Sequence, residues 1–257
     1  NSASDLKSLI IQHAEDAELS KDGMINDGII ATKLGLQGIP VSAELLILER
    51  DLTLLEYNNC RYHISQISSA SSVEIIRERK NKVNFSCGVS INNLSLNEND
   101  IGDFKTFLKL SPPLRTEDDR NALVQGLVDE TIDVIVSDHK PEDEENKRLT
   151  FAQAETGASG IETLLPLSLE LYHNGSVNLE TIIKALTSSP AKILKINKGN
   201  LSIGNDADFC IVDINKPWVV RKEKLISKSK NTPIEDKKLQ GKVMNTFVNG
   251  EELFKAE

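Results

Sequence analysis

Four short runs of β-forming residues recur along this chain, and each gives way to a stretch with apolar residues at helical spacing. The runs are SLIIQHAED (8–16), CRYHISQIS (60–68), KVNFSCGVS (82–90) and IDVIVSDH (132–139). Between them lie IPVSAELLILERDLTLLEYN (39–58), SSVEIIRERK (71–80) and EDDRNALVQGLVDE (117–130), each with helical periodicity. Strand alternating with helix builds βαβ units, and those require a parallel sheet. Four units suit half of an eight-stranded α/β barrel or an open doubly wound sheet. Pro40 suits the start of the first helix, and Ser71 is the expected N-cap of the second. The opening NSASDLKSLIIQHAED enters a strand almost at once. A parallel strand needs neighbours, so further sequence is expected upstream or on another chain.

The pattern changes after SGIETLLPLSLELYHNG (159–175) and NLETIIKALTSSPAKILKI (178–196). Short alternating strands with an Asn-Gly turn signal follow, which predicts a small β unit. The expected division is a barrel portion over 1–196 and a β segment over 197–257, with an extended linker at 221–240. Only 4% of residues are aromatic, so the core is aliphatic, as Val/Ile-rich parallel strands require. The formal net charge of −9 offers no basic footprint for nucleic acid and no attraction to anionic membrane. No apolar run approaches the roughly 18 residues a membrane span needs. Cys60, Cys87 and Cys210 are scattered without CxxC spacing, which fits free thiols in a reducing, cytoplasmic setting.

Side chains at the carboxyl ends of barrel strands converge on one face, where active sites are built. His13, His63, Gln66, Asp138 and His139 are the candidates. Strict alternation puts Ile132, Val134 and Val136 on the same face as Asp138, turns His139 away, and forbids His63 and Gln66 a common face. His13 and Asp138 read either as metal ligands, with Asp138 also taking a proton from water, or as a hydrogen-bonded interior histidine and a loop cap. Spacing alone favours the second. His63 reads as structural, and His173 as a surface residue meeting a helix dipole. In LKLSPPLRTEDDR (108–120), Arg115, Asp119 and Arg120 suit an anion clamp or, more simply, mutual pairing. PEDEEN (141–146) reads as a solvated loop. TGASGIET (156–163) sets Gly157 and Gly160 before a helix, where backbone N–H groups face a substrate or simply close a tight turn.

Together, QHAEDAELS, YHISQISSASSVEIIR, KLSPPLRTEDDR, SDHKPEDEENKR, GIETLLPLSLEL and SKSKNTP resemble, in order and spacing, the longer bacterial dihydroorotase family of the cyclic amidohydrolase superfamily. The resemblance implies strands five to eight of a metal-dependent (β/α)8 barrel with a small β domain. It implies interconversion of N-carbamoyl-L-aspartate and L-dihydroorotate in pyrimidine synthesis. His13 then matches a zinc ligand, and Asp138 the ligand that is also general base or acid. The family's paired His-x-His ligands lie upstream of this chain. Ser111, Glu142 and the Gly157 loop take substrate-binding positions, Ser111 and Glu142 as departures from the family's Asn and His. Gln66 stands where the family has a second barrel histidine, Asn92 and Asn93 where it has His-His, and Glu155 where it has proline. These departures also resemble metal-poor, non-catalytic relatives that assemble with aspartate transcarbamoylase. The implied cofactor is zinc, as one or two ions or as none where the site is degenerate. The implied assembly is a homo-oligomer.

Overall fold

The computed structural model describes residues 6–58 and 60–256. From the amino end, β1 (Leu9–Gln12) leads to an excursion holding the short strands β2 (Ile25–Asn26) and β3 (Gly38–Ile39), with α1 (Ile29–Leu34) between them. Then follow α2 (Val41–Tyr57), β4 (Arg61–Ile67), α3 (Ala70–Arg79), β5 (Ser86–Ser90), α4 (Ile91–Ser95), α5 (Glu117–Val128) and β6 (Val134–Val136). The main strands form one parallel sheet in the order β1–β4–β5–β6. Beyond it come α6 (Glu144–Lys147), α7 (Leu164–His173), α8 (Leu179–Leu186) and α9 (Ser188–Leu194). The chain ends in an antiparallel sheet of β7 (Phe209–Val219), β8 (Lys238–Val248) and β9 (Glu251–Lys255). Asn249 and Gly250, both at positive φ, turn β8 into β9, as Asn-Gly favours.

One face of the parallel sheet packs on the helices. Ile64, Ile67, Cys87, Val89 and Ile135 join Leu48, Leu52, Val73, Ile76, Leu123 and Leu127 in a single buried aliphatic cluster. Register assigns the opposite face. Gly88 pairs with Val134 and Ser90 with Val136, while Val89 and Ile135 point to the helices.

Between β4 and β5 the pairing runs His63 to Ser86, Ile64 to Cys87, then Ile67 to Val89. Three residues on β4 therefore span two on β5, which is a bulge. The extra residue resets the alternation, so His63 and Gln66 share the face away from the helices, against the expectation. His63 Nδ1 lies 2.8 Å from Ser86 Oγ. Gln66 reaches the carboxylate that Ser90 also contacts, and Ser86 and Ser90 lie on one face of β5. Gly88 gives the bulge room, because a Cβ there would sit 2.4 Å from the Ser65 carbonyl oxygen.

Other expectations shift locally. Ile132 precedes β6 and packs in the helix-side cluster, and Asp138 lies beyond the strand, so a common face for Ile132, Val134, Val136 and Asp138 does not follow from alternation. The cap of α3 is Ser69, whose side chain accepts from Ser72 N, rather than Ser71. His173 is partly buried and bonds through Nε2 to the Ile214 carbonyl at 2.9 Å, joining α7 to β7. Segment 221–240 contains a 3-10 turn at Lys222–Lys224, buries Asn231 and Thr232, and enters β8 at Lys238.

A buried polar network ties the strand ends together. Arg115, 3% exposed, donates Nε to Ser68 Oγ at 2.9 Å and Nη1 to Asn26 Oδ1 at 2.7 Å and the Ile39 carbonyl at 3.0 Å. Glu44 on α2 accepts from Ser68 N and from the hydroxyls of Ser68, Ser69 and Ser72. Asn26 passes the network to Glu98 at 2.7 Å. Arg115 is thus a structural donor, though not through the expected pairing, because Asp119 caps its own helix at Thr116 and Arg120 pairs with Glu117. Replacing it with methionine leaves Asn26, Ser68 and Ile39 without their donor and Glu44 without a nearby cation. Urea denaturation of Arg115→Met is expected to show a loss of about 3–5 kcal/mol. A loss below about 1 kcal/mol would mean that Asn26, Ser68 and Ile39 find other donors once Arg115 is gone.

Candidate active site

Polar contacts link the candidate residues across five segments. His13, just past β1, has Nε2 3.6 Å from Glu15 Oε2 and 3.3 Å from Ser111 Oγ. The Ser111 carbonyl accepts from Gln66 Nε2 at 3.2 Å. The same Nε2 donates to Asp138 Oδ1 at 3.3 Å, and Ser90 Oγ lies 3.5 Å from Asp138 Oδ2. Glu15, His13, Ser111, Gln66, Asp138 and Ser90 thus form one chain of contacts along the carboxyl ends of the strands. Glu15 and Ser90 escaped the sequence reading. The spacing His13-x-Glu15 on a strand end was the available signal for the first, and the β5 parity for the second.

Asp138 sits at φ 47°, in the left-handed region. That conformation costs about 1–2 kcal/mol for a residue with a Cβ. Its occurrence at a strand end beside other polar groups marks a candidate functional position. Burial pushes the Asp138 carboxyl above its usual range, against the opposing pull of Gln66, His13 and Ser90. The neighbouring Glu15 carboxylate raises His13, and His13 in turn holds Glu15 low. Burial lowers His63, which with its bond to Ser86 fits the structural role expected of it.

The donor set is short for a metal. Among the described residues no three His, Cys, Asp or Glu side chains converge. A catalytic zinc is held by three protein ligands. Gln66 faces two acceptors, Ser111 O and Asp138 Oδ1, so its NH2 end points to the carboxylate and its carbonyl is turned elsewhere. His13 and Asp138 alone do not make the site. Asn92 and Asn93 are buried in α4, and Asn93 donates to the Pro113 carbonyl at 2.9 Å.

Glu142 and Gly157 lie in the loop that follows Asp138, and neither bonds to a member of the contact chain. The Glu142 carboxylate is 3.7 Å from Lys140 Nζ, and its amide faces Asn231 Oδ1 at 3.4 Å. Gly157 adopts φ 140°, and a Cβ there would lie 2.7 Å from the Lys140 carbonyl oxygen. Its N–H donates to the Lys109 carbonyl at 2.9 Å and its carbonyl accepts from Asn231 Nδ2 at 3.1 Å. That bonding is what a tight turn uses, and it leaves the Gly157 N–H nothing to offer a ligand. Two buried lysines brace the same loop. Lys109 Nζ donates to the carbonyls of Ala152 and Ala154, and Lys147 Nζ to that of Glu155.

A partial parallel α/β barrel with a carboxylate at a strand end and an attached β sheet is the architecture of a barrel hydrolase. The family model described as "Amidohydrolase family" matches residues 1–253, and the chain belongs to that family. A dihydroorotase of Ehrlichia canis is 42% identical over 253 residues, covering 98% of this chain and 57% of that protein. A dihydroorotase of Anaplasma phagocytophilum is 40% identical over 257 residues, covering 99% and 58%. Among solved structures, the L-hydantoinase (dihydropyrimidinase) from Arthrobacter aurescens matches with a TM-score of 0.88 at 26% identity, covering 99% of this chain and 58% of that one. The dihydropyrimidinase from Brevibacillus agri shares the fold, with a TM-score of 0.87 at 21% identity, covering 98% and 58%. The chain therefore spans less than three fifths of the length of these relatives. No helix among the described residues is long and apolar enough to cross a membrane.

The loop's buried lysine has a pH signature. Burial brings Lys147 down to about 8. An unfolded lysine titrates near 10.4, so between these values the unfolded chain holds a proton that the folded one has released. Stability then rises with pH across this window and is indifferent to Lys147 below it. Urea denaturation of the wild type and Lys147→Met from pH 7 to 10.5 isolates the effect, because other titrating groups cancel in the difference. The wild type is expected to gain on the order of 3 kcal/mol relative to the variant. A difference that stays flat with pH would show that Lys147 keeps its ordinary proton affinity.

Proposed function

We propose that this chain carries the proton-transfer side of a dihydroorotase, interconverting N-carbamoyl-L-aspartate and L-dihydroorotate. The observation behind the reading is Asp138, buried at a strand end, strained, and held on both oxygens by neutral donors. The family generally depends on metal. Zinc is the ion the resemblance implies, and His13 and Asp138 are the donors this chain would lend to it, the other ligands coming from residues outside 6–256.

In ring opening, water attacks the cyclic amide carbonyl and the C–N bond breaks. Asp138 takes the proton that the water loses and returns it to the departing ring nitrogen. A carboxyl raised by burial suits both halves of that exchange, since it can hold the proton between the two steps. Ser111 offers a hydroxyl beside His13 and Glu15 for a polar group of the substrate. Glu142 and the Gly157 turn take substrate-binding positions by resemblance, and Glu142, beside Lys140, is a departure that weakens the hold on a dianionic substrate.

Gln66, standing where the resembled family has a histidine, is the observation behind a second reading: a non-catalytic subunit that assembles with aspartate transcarbamoylase. The relatives' shared name weighs towards catalysis. A cytoplasmic homo-oligomer fits either reading. The full-length protein, supplied with zinc, is expected to hydrolyse L-dihydroorotate. Asp138→Ala should lower kcat by roughly 10²–10⁴-fold. Absence of turnover in the zinc-loaded wild type would sink the catalytic reading, and co-purification with a transcarbamoylase would then carry the second one.

A further inference from the structure

The strand end that carries Asp138 is clamped by the turn at residues 157–161. His139 and Ala158 form a parallel β-bridge, and Lys140 N donates to the Ala158 carbonyl at 2.9 Å. On the near side, Gly160 approaches so closely that a Cβ there would lie 2.4 Å from the Ser137 carbonyl oxygen. Ser137 and His139 are therefore both fixed against the turn, while Asp138 between them takes the left-handed conformation and sends its carboxylate to Gln66 and Ser90.

The imidazole of His139 makes the clamp directional. Its Nδ1 accepts from Gly160 N at 3.2 Å and from Ile161 N at 3.4 Å. Accepting two N–H groups requires the tautomer with its hydrogen on Nε2. From the other side, Asn231 grips the same turn. Its carbonyl accepts from Ser159 N at 3.2 Å, its Oδ1 from Ser159 Oγ at 2.8 Å, and its Nδ2 donates to the Gly157 carbonyl at 3.1 Å. The turn is thus a fixed template, and His139 is the side chain that couples it to the residue next door.

We propose that His139 is a positioning residue: by anchoring the amides of Gly160 and Ile161, it holds Asp138 in the conformation from which it transfers protons. The inference rests on the role given to Asp138 above. It predicts that the essential feature of His139 is the acceptor at Nδ1 and not the ring. Asparagine places Oδ1 at nearly the same point, so His139→Asn is the conservative variant and His139→Leu the disruptive one.

The test uses full-length protein, zinc-supplied, with two readouts: hydrogen exchange at the Gly160 and Ile161 amides, and kcat and KM for L-dihydroorotate. His139→Leu is expected to speed exchange at both amides about tenfold or more and to lower kcat by roughly 10–100-fold with KM nearly unchanged, as misplacement of a reacting group does. His139→Asn should restore both. A variant His139→Leu that loses protection yet keeps kcat overturns the proposal, and so does a His139→Asn as impaired as the leucine variant. Ile161→Pro, at an exposed position, deletes one donor and leaves His139 in place; it serves where the leucine variant fails to fold, and unchanged kcat there also overturns the proposal. If the wild type does not turn over dihydroorotate, the functional reading fails by itself. Crystal structures of the variants then decide the anchoring, which is refuted by Asp138 keeping φ near its wild-type value in His139→Leu.

Discussion

A single buried arginine, Arg115, joins the loops at the carboxyl ends of the first two main strands. Its guanidinium is removed from water and donates to three separate segments, the β2–β3 excursion, the end of β4, and through Ser68 the carboxylate of Glu44 on α2. Burial lowers the proton affinity of Arg115, and the carboxylates of Glu44, Asp119, Glu15 and Glu98 oppose that effect. Such a network is weakly stabilising in net terms and strongly destabilising when broken, so its main consequence is to fix geometry. Parallel strands place their ends in one plane, but the loops that leave them are free to wander. Here the loops are joined to one another by a donor that cannot be deprotonated and has a fixed planar fork.

That scaffold explains where the contact chain runs. Arg115 and Ser111 belong to the same Pro-Pro loop, so anchoring one fixes the other. Ser111 then faces His13 through its hydroxyl and Gln66 through its carbonyl. Asn93 holds the same loop from α4 by donating to Pro113. The polar residues that replace histidines of the resembled family are not idle at these positions. Gln66 and Asn93 both make hydrogen bonds that shape the site.

The strands and helices were legible because their periodicities differ and their lengths are ordinary. All four main strands and the three helices between them lie where the alternation of β-forming runs and helical spacing puts them. The β unit was legible from Asn249-Gly250. What misled was the assumption that alternation continues unbroken. A single bulged residue between Ile64 and Ile67 brings Gln66 to the face of His63, and nothing in CRYHISQIS announces it. The same holds past Val136, where the chain leaves the strand and Asp138 turns left-handed. Asn231 was hidden for another reason. A polar, basic linker composition points to solvent, yet this amide is 2% exposed and bonds residues more than 70 positions away. Long-range hydrogen bonds leave no local periodicity to read.

A strand ending in Asp-His therefore has a physical explanation in two parts. The aspartate needs a conformation that an L-residue resists and an environment that its charged form resists. Either alone would be relieved by a small rotation of the chain. Relief is hindered because the peptide after Asp138 is hydrogen-bonded to the 157–161 turn, the one before it packs closely on Gly160, and the turn is tied to the buried Asn231. The carboxylate hydrogen-bonds only to the neutral Gln66 and Ser90, while His13 and Lys140 act on it as nearby charges that burial outweighs. A group in that position exchanges protons more readily than one paired with a fixed cation, whose Coulomb attraction would hold it ionised.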